Sequence, residues 1–247
     1  GRSLDRVAAG QLSGRRPAMT TKGLTAVLAG ATGLVGGECL RQLLASPRYG
    51  RVIVVTRREI DPALRHDKLR EVVAEFARLG DVKSQLRGDH VFCALGTTIR
   101  KAGSQARFRV VDHDYPLRLA EITHGQGARQ FSLVSALGAS RTSPFFYSRV
   151  KGELENDLRR MGWPGLALFR PSVIAGERGE SRPLERLGER MLRFAPATWR
   201  PVEAGDIAAA MIATALREPP GVTIVESREI AAVAAGLSAG LDQGSRR

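Results

Sequence analysis

In Leu24-Thr25-Ala26-Val27-Leu28-Ala29-Gly30-Ala31-Thr32-Gly33-Leu34-Val35-Gly36, a short apolar run ends at a glycine, and two more glycines follow at three-residue intervals. The residues after it, through Leu44, place Leu34, Val35, Cys39, Leu40, Leu43 and Leu44 at helical spacing. The pattern is a strand, a tight loop and a helix. Gly30 permits the turn off the strand, Gly33 lets backbone amides approach a phosphate, and Gly36 lets the helix pack close to the sheet. The unpaired amides and the dipole of the first helical turn then favour an anion in the loop. G-x-x-G-x-x-G in this setting predicts dinucleotide binding by Gly30, Thr32, Gly33, Leu34, Val35 and Gly36.

The same alternation continues along the chain. Arg51–Thr56 (RVIVVT) is a continuous β-branched run, too uniformly apolar for a strand with one wet face. Arg70–Phe76, Asp89–Leu95, Gln130–Val134 and Leu166–Phe169 read as further strands, and Arg107–Gly125 and Phe146–Met161 as helices between them. Repeated strand–helix units predict an α/β fold with a doubly wound parallel sheet. Beyond Arg170 the rhythm loosens. Pro171, Gly176, Gly179, Pro183, Pro196 and Pro201 mark loops around a helix near Pro183–Phe194. A helix over Gly205–Leu216, a strand over Val222–Val225 and a C-terminal helix from Ile230 close the chain. The expected organisation is a flexible polar extension over residues 1–22 and a single domain over 23–247. Within that domain, residues about 171–204 form a small C-terminal lobe on the substrate side.

The end of the second strand selects the nucleotide. A carboxylate there would bond a ribose 2′-hydroxyl, but the strand ends Thr56-Arg57-Arg58. Guanidinium groups bind phosphate oxygens in pairs, so Arg57 and Arg58 favour NADP(H) over NAD(H). Glu59 follows and either compensates the arginines or contacts a ribose. Lys101 reads as a solvated lysine in preference to a phosphate contact.

Tyr147-Ser148-Arg149-Val150-Lys151 is Y-x-x-x-K on a helical segment, so the phenol and the ammonium share one face. A phenol ionises near pH ~10 and is a poor base at neutrality. A neighbouring cation favours the phenolate, and the tyrosine can then exchange a proton with a carbonyl or alcohol as hydride moves. Ser135 ends the fifth strand, on the edge where an open parallel sheet binds ligands. Its hydroxyl is placed to hold the substrate oxygen beside Tyr147. The candidate catalytic set is Ser135, Tyr147 and Lys151.

On these residues the chain resembles the short-chain dehydrogenase/reductase superfamily, in its atypical or extended branch, from about Leu24 to Val225. Phe169-Arg170-Pro171-Ser172-Val173 is similar to the segment that follows the sixth strand in extended members. Cys93-Ala94-Leu95-Gly96-Thr97-Thr98, Val111-Asp112-His113-Asp114-Tyr115, Phe145 through Glu153 and Glu180-Ser181-Arg182-Pro183 are similar, more specifically, to the Tat-interacting-protein (TIP30-like) group. The resemblance implies a Rossmann-type fold binding NADP(H). It gives Tyr147 the acid/base role, has Lys151 hold the nicotinamide ribose, and has Ser135 orient the carbonyl. Leu95, Gly96 and Thr97 would line the cofactor, with Pro171 and Val173 beside the nicotinamide. Many members complete a proton relay with an asparagine where this chain has Asp112. The region after Arg170 is short for an extended enzyme, which implies a shallow substrate pocket or one completed by a partner protein or a second copy. The group is linked to regulation as well as to chemistry, so the second reading is an NADP(H)-binding regulatory protein.

Composition bounds the alternatives. The 247 residues are 43% hydrophobic and 26% charged, as in a folded chain with a real core. Cys39 and Cys93 are too few for a disulfide framework, and the four histidines never fall at i, i+4 spacing, so no metal site is expected. The formal charge is +13, of which the first 22 residues carry +4 (five basic residues against Asp5). Without a basic block or interleaved aromatics, no specific nucleic-acid site is expected. Neither a membrane span nor a leader is readable, which makes the cytoplasm the default expectation.

Overall fold

A computed structural model of the chain describes residues 23–175 and 201–236. The extension over 1–22, the Pro183–Phe194 helix, the Glu180–Pro183 segment and most of the expected small lobe lie outside the described residues, as does the C-terminal helix beyond 236.

The strands are β1 (Leu24–Ala29), β2 (Tyr49–Thr56), β3 (Leu69–Val73), β4 (His90–Cys93), β5 (Gln130–Val134), β6 (Gly165–Arg170), β7 (Ile174–Ala175), β8 (Val202–Glu203) and β9 (Gly221–Glu226). Seven form one parallel sheet in the order β3-β2-β1-β4-β5-β6-β9, and β7 and β8 form a separate two-residue parallel pair. The helices that matter here are α1 (Leu34–Ala45), α2 (Ile99–Ala102), α3 (Gln105–Arg109), α4 (Tyr115–Gly125), α5 (Phe146–Arg160) and α6 (Ala204–Arg217). The strand order reverses between β1 and β4, and a crevice opens at that point.

The uniform apolar strands are explained by two cores. Ala26 and Leu28 point to one face with Leu40, Leu43, Ile207 and Met211 of α1 and α6. Val27 and Ala29 point to the other, with Leu119 of α4 and Leu154 and Leu158 of α5. Burying one such side chain contributes about 1.5–3 kcal/mol. No helix among the described residues is long and apolar enough to cross a membrane.

Two strands stop short of their expected ends. β3 ends at Val73, which pairs with Thr56, the last residue of β2; on a sheet edge there is no other partner. β4 ends at Cys93, opposite the last residue of β1. The helix expected over Arg107–Gly125 is interrupted. Residues Val110–Asp114 form one π turn, in which the Tyr115 amide donates to Val110 O instead of to Val111 O. Pro116 accounts for this. It has no N–H, and its ring would strike the carbonyl four residues back, which is that of Asp112. The wider turn relieves that clash, and π turns are frequent at functional sites.

At the amino edge of the sheet lies a closed polar cluster. Tyr49 Oη is 2.8 Å from His90 Nδ1, and His90 Nε2 is 2.8 Å from Glu218 Oε1. Burial pushes the Tyr49 phenol above its ordinary value, so it keeps its proton and donates to the imidazole. Burial also lowers His90 below 6.5, which favours a neutral ring whose Nε2–H donates to Glu218. Glu218 sits at φ +45°, in the left-handed position that usually takes glycine at a helix end. Its carboxylate also meets Arg129 at 3.0 Å, and these contacts offset the strain.

Candidate active site

Two cavities open side by side at the carboxyl edge of β1 and β4. The larger, about 640 Å³, is lined by Gly30, Ala31, Thr32 and Gly33 on one side and by Arg57, Arg58 and Glu59 on the other. The smaller, about 300 Å³, is lined by Leu34, Val35, Thr97, Asp112, Ser135, Tyr147 and Lys151. Gly33, Ala94, Leu95, Gly96 and Lys101 border both.

The glycine loop has the geometry its spacing predicts. Gly30 has φ +92°, and a Cβ on it would lie 2.5 Å from Ala94 O. A Cβ on Gly36 would lie 1.9 Å from Gly30 O, so this glycine lets α1 pack against the loop and does not line either cavity. Gly33 begins α1 in an extended conformation without a side-chain cap, and the first turn holds no acidic residue. The amides there are left for an external anion, which is the fit a pyrophosphate requires.

Arg57 and Arg58 follow directly from β2. Thr56 Oγ1 donates to the Arg58 carbonyl at 2.7 Å and fixes the turn that aims this segment at the larger cavity. Three residues of that cavity were not expected there from the sequence. Lys101, read as solvated, borders both cavities. Phe76 and Tyr115 stack at 5.4 Å and form a flat aromatic wall.

Tyr147, Lys151 and Glu155 recur every four residues along one face of α5. Tyr147 is 39% exposed and its ring rests on Phe108 at 5.5 Å. Lys151 is buried, and its Nζ lies 2.8 Å from Asp112 Oδ1. Asp112 is buried as well, and its Oδ2 accepts from the Thr97 amide at 2.8 Å. Burial opposes the ammonium charge, but the Asp112 carboxylate and the Tyr147 oxygen outweigh it and hold Lys151 above its ordinary value. An ammonium has three donors, so two remain for hydroxyl groups of a ligand.

Ser135 borders the same cavity, but its hydroxyl donates to Glu155 Oε1 at 2.6 Å. The same carboxylate is held by Arg170, through Nε at 3.0 Å and Nη2 at 2.6 Å, and Arg170 reaches Glu226 at 3.0 Å. Glu155 was not singled out from the sequence, although its i+8 spacing from Tyr147 placed it on the same face. On the far wall, Ile174 lines the cavity, and Pro171 and Val173 are not among its lining residues. Val173 is 48% exposed and its carbonyl accepts from Val202, so its backbone is engaged in the β7–β8 pair. Cys93 is buried in β4, and burial pushes its thiol up to about 11, too high for a nucleophile at neutral pH.

The chain is similar to known proteins. Residues 30–161 match the NAD(P)H-binding family. The chain is 35% identical to protein HTATIP2 of Rattus norvegicus over 172 residues, 69% of this chain and 71% of the rat protein. It is 32% identical to the mitochondrial protein FMP52 of Candida albicans over 193 residues, 74% of this chain and 84% of the yeast protein. The fold matches the Bordetella bronchiseptica enzyme WbmG, solved in complex with NAD, with a TM-score of 0.65 at 15% identity over 91% of this chain and 80% of that one. The FMP52 relatives are named as mitochondrial proteins, which overturns the cytoplasmic default expected from the sequence. The match to the family model and the shared identity with these relatives place the chain in the NAD(P)H-binding family, within the atypical short-chain dehydrogenase/reductase group of the TIP30-like kind.

Proposed function

We propose that the protein is an NADP(H)-dependent oxidoreductase acting on a carbonyl/alcohol pair, with Tyr147 as the acid/base. One observation carries this reading: Tyr147, Lys151 and Ser135 border a cavity that continues directly into the glycine loop. A dinucleotide laid along the loop therefore ends beside the phenol. A bound nicotinamide supplies or accepts the hydride.

The chain's own residues do the rest. The amides of Leu34 and Val35 meet the pyrophosphate, while that of Gly33 holds the loop by donating to Gly30 O, and Leu95, Gly96 and Thr97 border the ribose. Arg57 and Arg58, with Lys101 reaching in from α2, favour a 2′-phosphate. Lys151 turns its remaining hydrogens to the nicotinamide ribose and keeps positive charge near the Tyr147 oxygen. Tyr147 gives its proton to a carbonyl oxygen, or takes one from an alcohol. Ser135, whose hydrogen is held by Glu155, presents its oxygen as an acceptor to an alcohol O–H; to orient a carbonyl it would have to turn that hydrogen away from Glu155. Val134 and Ile174 supply apolar walls that limit water.

The test is a calorimetric titration with NADPH and NADH at fixed ionic strength, followed by a screen of small carbonyl compounds with Tyr147→Phe as control. NADPH is expected to bind at least about tenfold more tightly, a difference of roughly 1.4 kcal/mol. Arg57→Ala with Arg58→Ala is expected to erase that preference. Tyr147→Phe is expected to lose about 10²–10⁴-fold in kcat while binding NADPH as before. Binding without turnover of any carbonyl would favour the regulatory reading, and binding of neither nucleotide would overturn both.

A further inference from the structure

We infer that Asp112 is a positioning residue that balances the charge of Lys151, and so sets the pH at which Tyr147 changes protonation. The inference rests on the reading of Tyr147 as the acid/base. Its basis is a buried carboxylate where an amide would serve the architecture equally well. The bond from the Thr97 amide to Asp112 Oδ2 needs only an acceptor. Asparagine would supply one. The second contact, Asp112 Oδ1 to Lys151 Nζ at 2.8 Å, is the one in which the charge matters. The Asp112 and Lys151 side chains are 1% and 4% exposed, so water screens the pair little.

Tyr147 lies one helical turn before Lys151 and borders the same cavity. Beside a lone ammonium, its phenolate would be strongly favoured. Beside an ammonium paired with a carboxylate it meets a dipole, whose field falls faster with distance. The other groups near Lys151 leave this balance intact. From β4, Cys93 stays neutral until about pH 11 because it is buried. From α2, Lys101 also borders the cavity, and because it is the same in every variant its charge cancels from the differences between them. One turn further along α5, Glu155 is held by Arg170 and Ser135. The turn that carries Asp112 is the π turn imposed by Pro116, so the fold itself delivers this carboxylate to the lysine.

The experiment follows tyrosine ionisation by ultraviolet absorbance against pH in the full chain, without cofactor. The variants are Asp112→Asn, Lys151→Met and the two combined. Each spectrum has that of its Tyr147→Phe counterpart subtracted, which isolates Tyr147 from Tyr49 and Tyr115. Asp112→Asn is expected to ionise at a pH lower by on the order of one unit, and Lys151→Met at a higher pH. The double variant should return to within a few tenths of a unit of the wild type. A folded Asp112→Asn protein that titrates like the wild type would overturn the inference. The double variant buries no charge, and read beside whichever single variant folds it decides the matter, because a shifted single variant shows that the charge is felt at Tyr147. A midpoint near wild type supports charge balance, and one displaced upward by a unit or more overturns it. The titration needs no substrate, so failure of the oxidoreductase reading appears separately, as absent turnover with the shift intact.

Discussion

At the amino edge of the sheet, Tyr49, His90, Glu218 and Arg129 partner one another in a chain; at the carboxyl edge, Lys151 and Asp112 leave two ammonium donors facing a cavity. Both clusters hold buried polar side chains, His90 in one and Lys151 with Asp112 in the other, and both join segments that are distant in sequence. The difference lies in what is left over. A closed network does nothing further for a ligand and serves the fold, whereas an open one holds charge in readiness for a partner that the chain does not supply. Burial of polar groups therefore does not by itself locate function. The count of unspent donors beside a cavity does.

That contrast can be broken experimentally. The largest effect on stability is expected at Glu155, whose carboxylate joins the site to the frame. Glu155→Ala leaves Arg170 without its bidentate partner and should cost about 3–5 kcal/mol, read from the urea midpoint. A cost below ~1 kcal/mol would show that Glu226 alone suffices for Arg170.

The closed cluster should show itself through pH. His90 is held below 6.5 when folded, so the unfolded chain takes up the proton first. Its contribution is complete above pH 6.5 and is lost as pH falls through 6.5 toward the lower folded value. Between pH 7 and 5, the wild type should lose more stability than His90→Gln, because only the wild type carries a ring that protonates more readily when unfolded. Equal slopes would mean that the ring is already charged in the fold. The smallest effect is expected from a pair that is neither closed nor open but simply wet. Arg78 and Asp81 meet at 2.7 Å with side chains 78% and 58% exposed, and Asp81→Asn should change stability by less than about 0.5 kcal/mol.

What could be read in advance depended on how local each signal was. The strands were legible because both faces are covered, which forces runs such as Arg51–Thr56 to be apolar throughout. The glycine loop was legible because Gly30 needs a positive φ and Gly36 a close approach, and few other residues permit either. The strand ends at Val73 and Cys93 were not, because they depend on where the neighbouring strand stops. The face of α5 that borders the cavity was read as far as Lys151 and no further, although helical periodicity extends it to Glu155. Asp112 was read as a departure from a familiar pattern. Its pairing with Lys151 depends on the spatial approach of two segments 39 positions apart, which no spacing rule within either segment contains.

The π turn over Val110–Asp114 has a consequence for how the sequence can vary. Pro116 lines neither cavity and touches no proposed ligand, and on a list of contacts it would pass for packing. Yet it is the residue whose missing N–H keeps the helix from closing in the ordinary way across Asp112. A change at Pro116 that restores regular helical bonding would rotate the carboxylate away from Lys151 without substituting any residue that lines either cavity. The cavity's tolerance to mutation is thus set partly by a residue outside it, and substitutions there would be silent in composition and audible in chemistry.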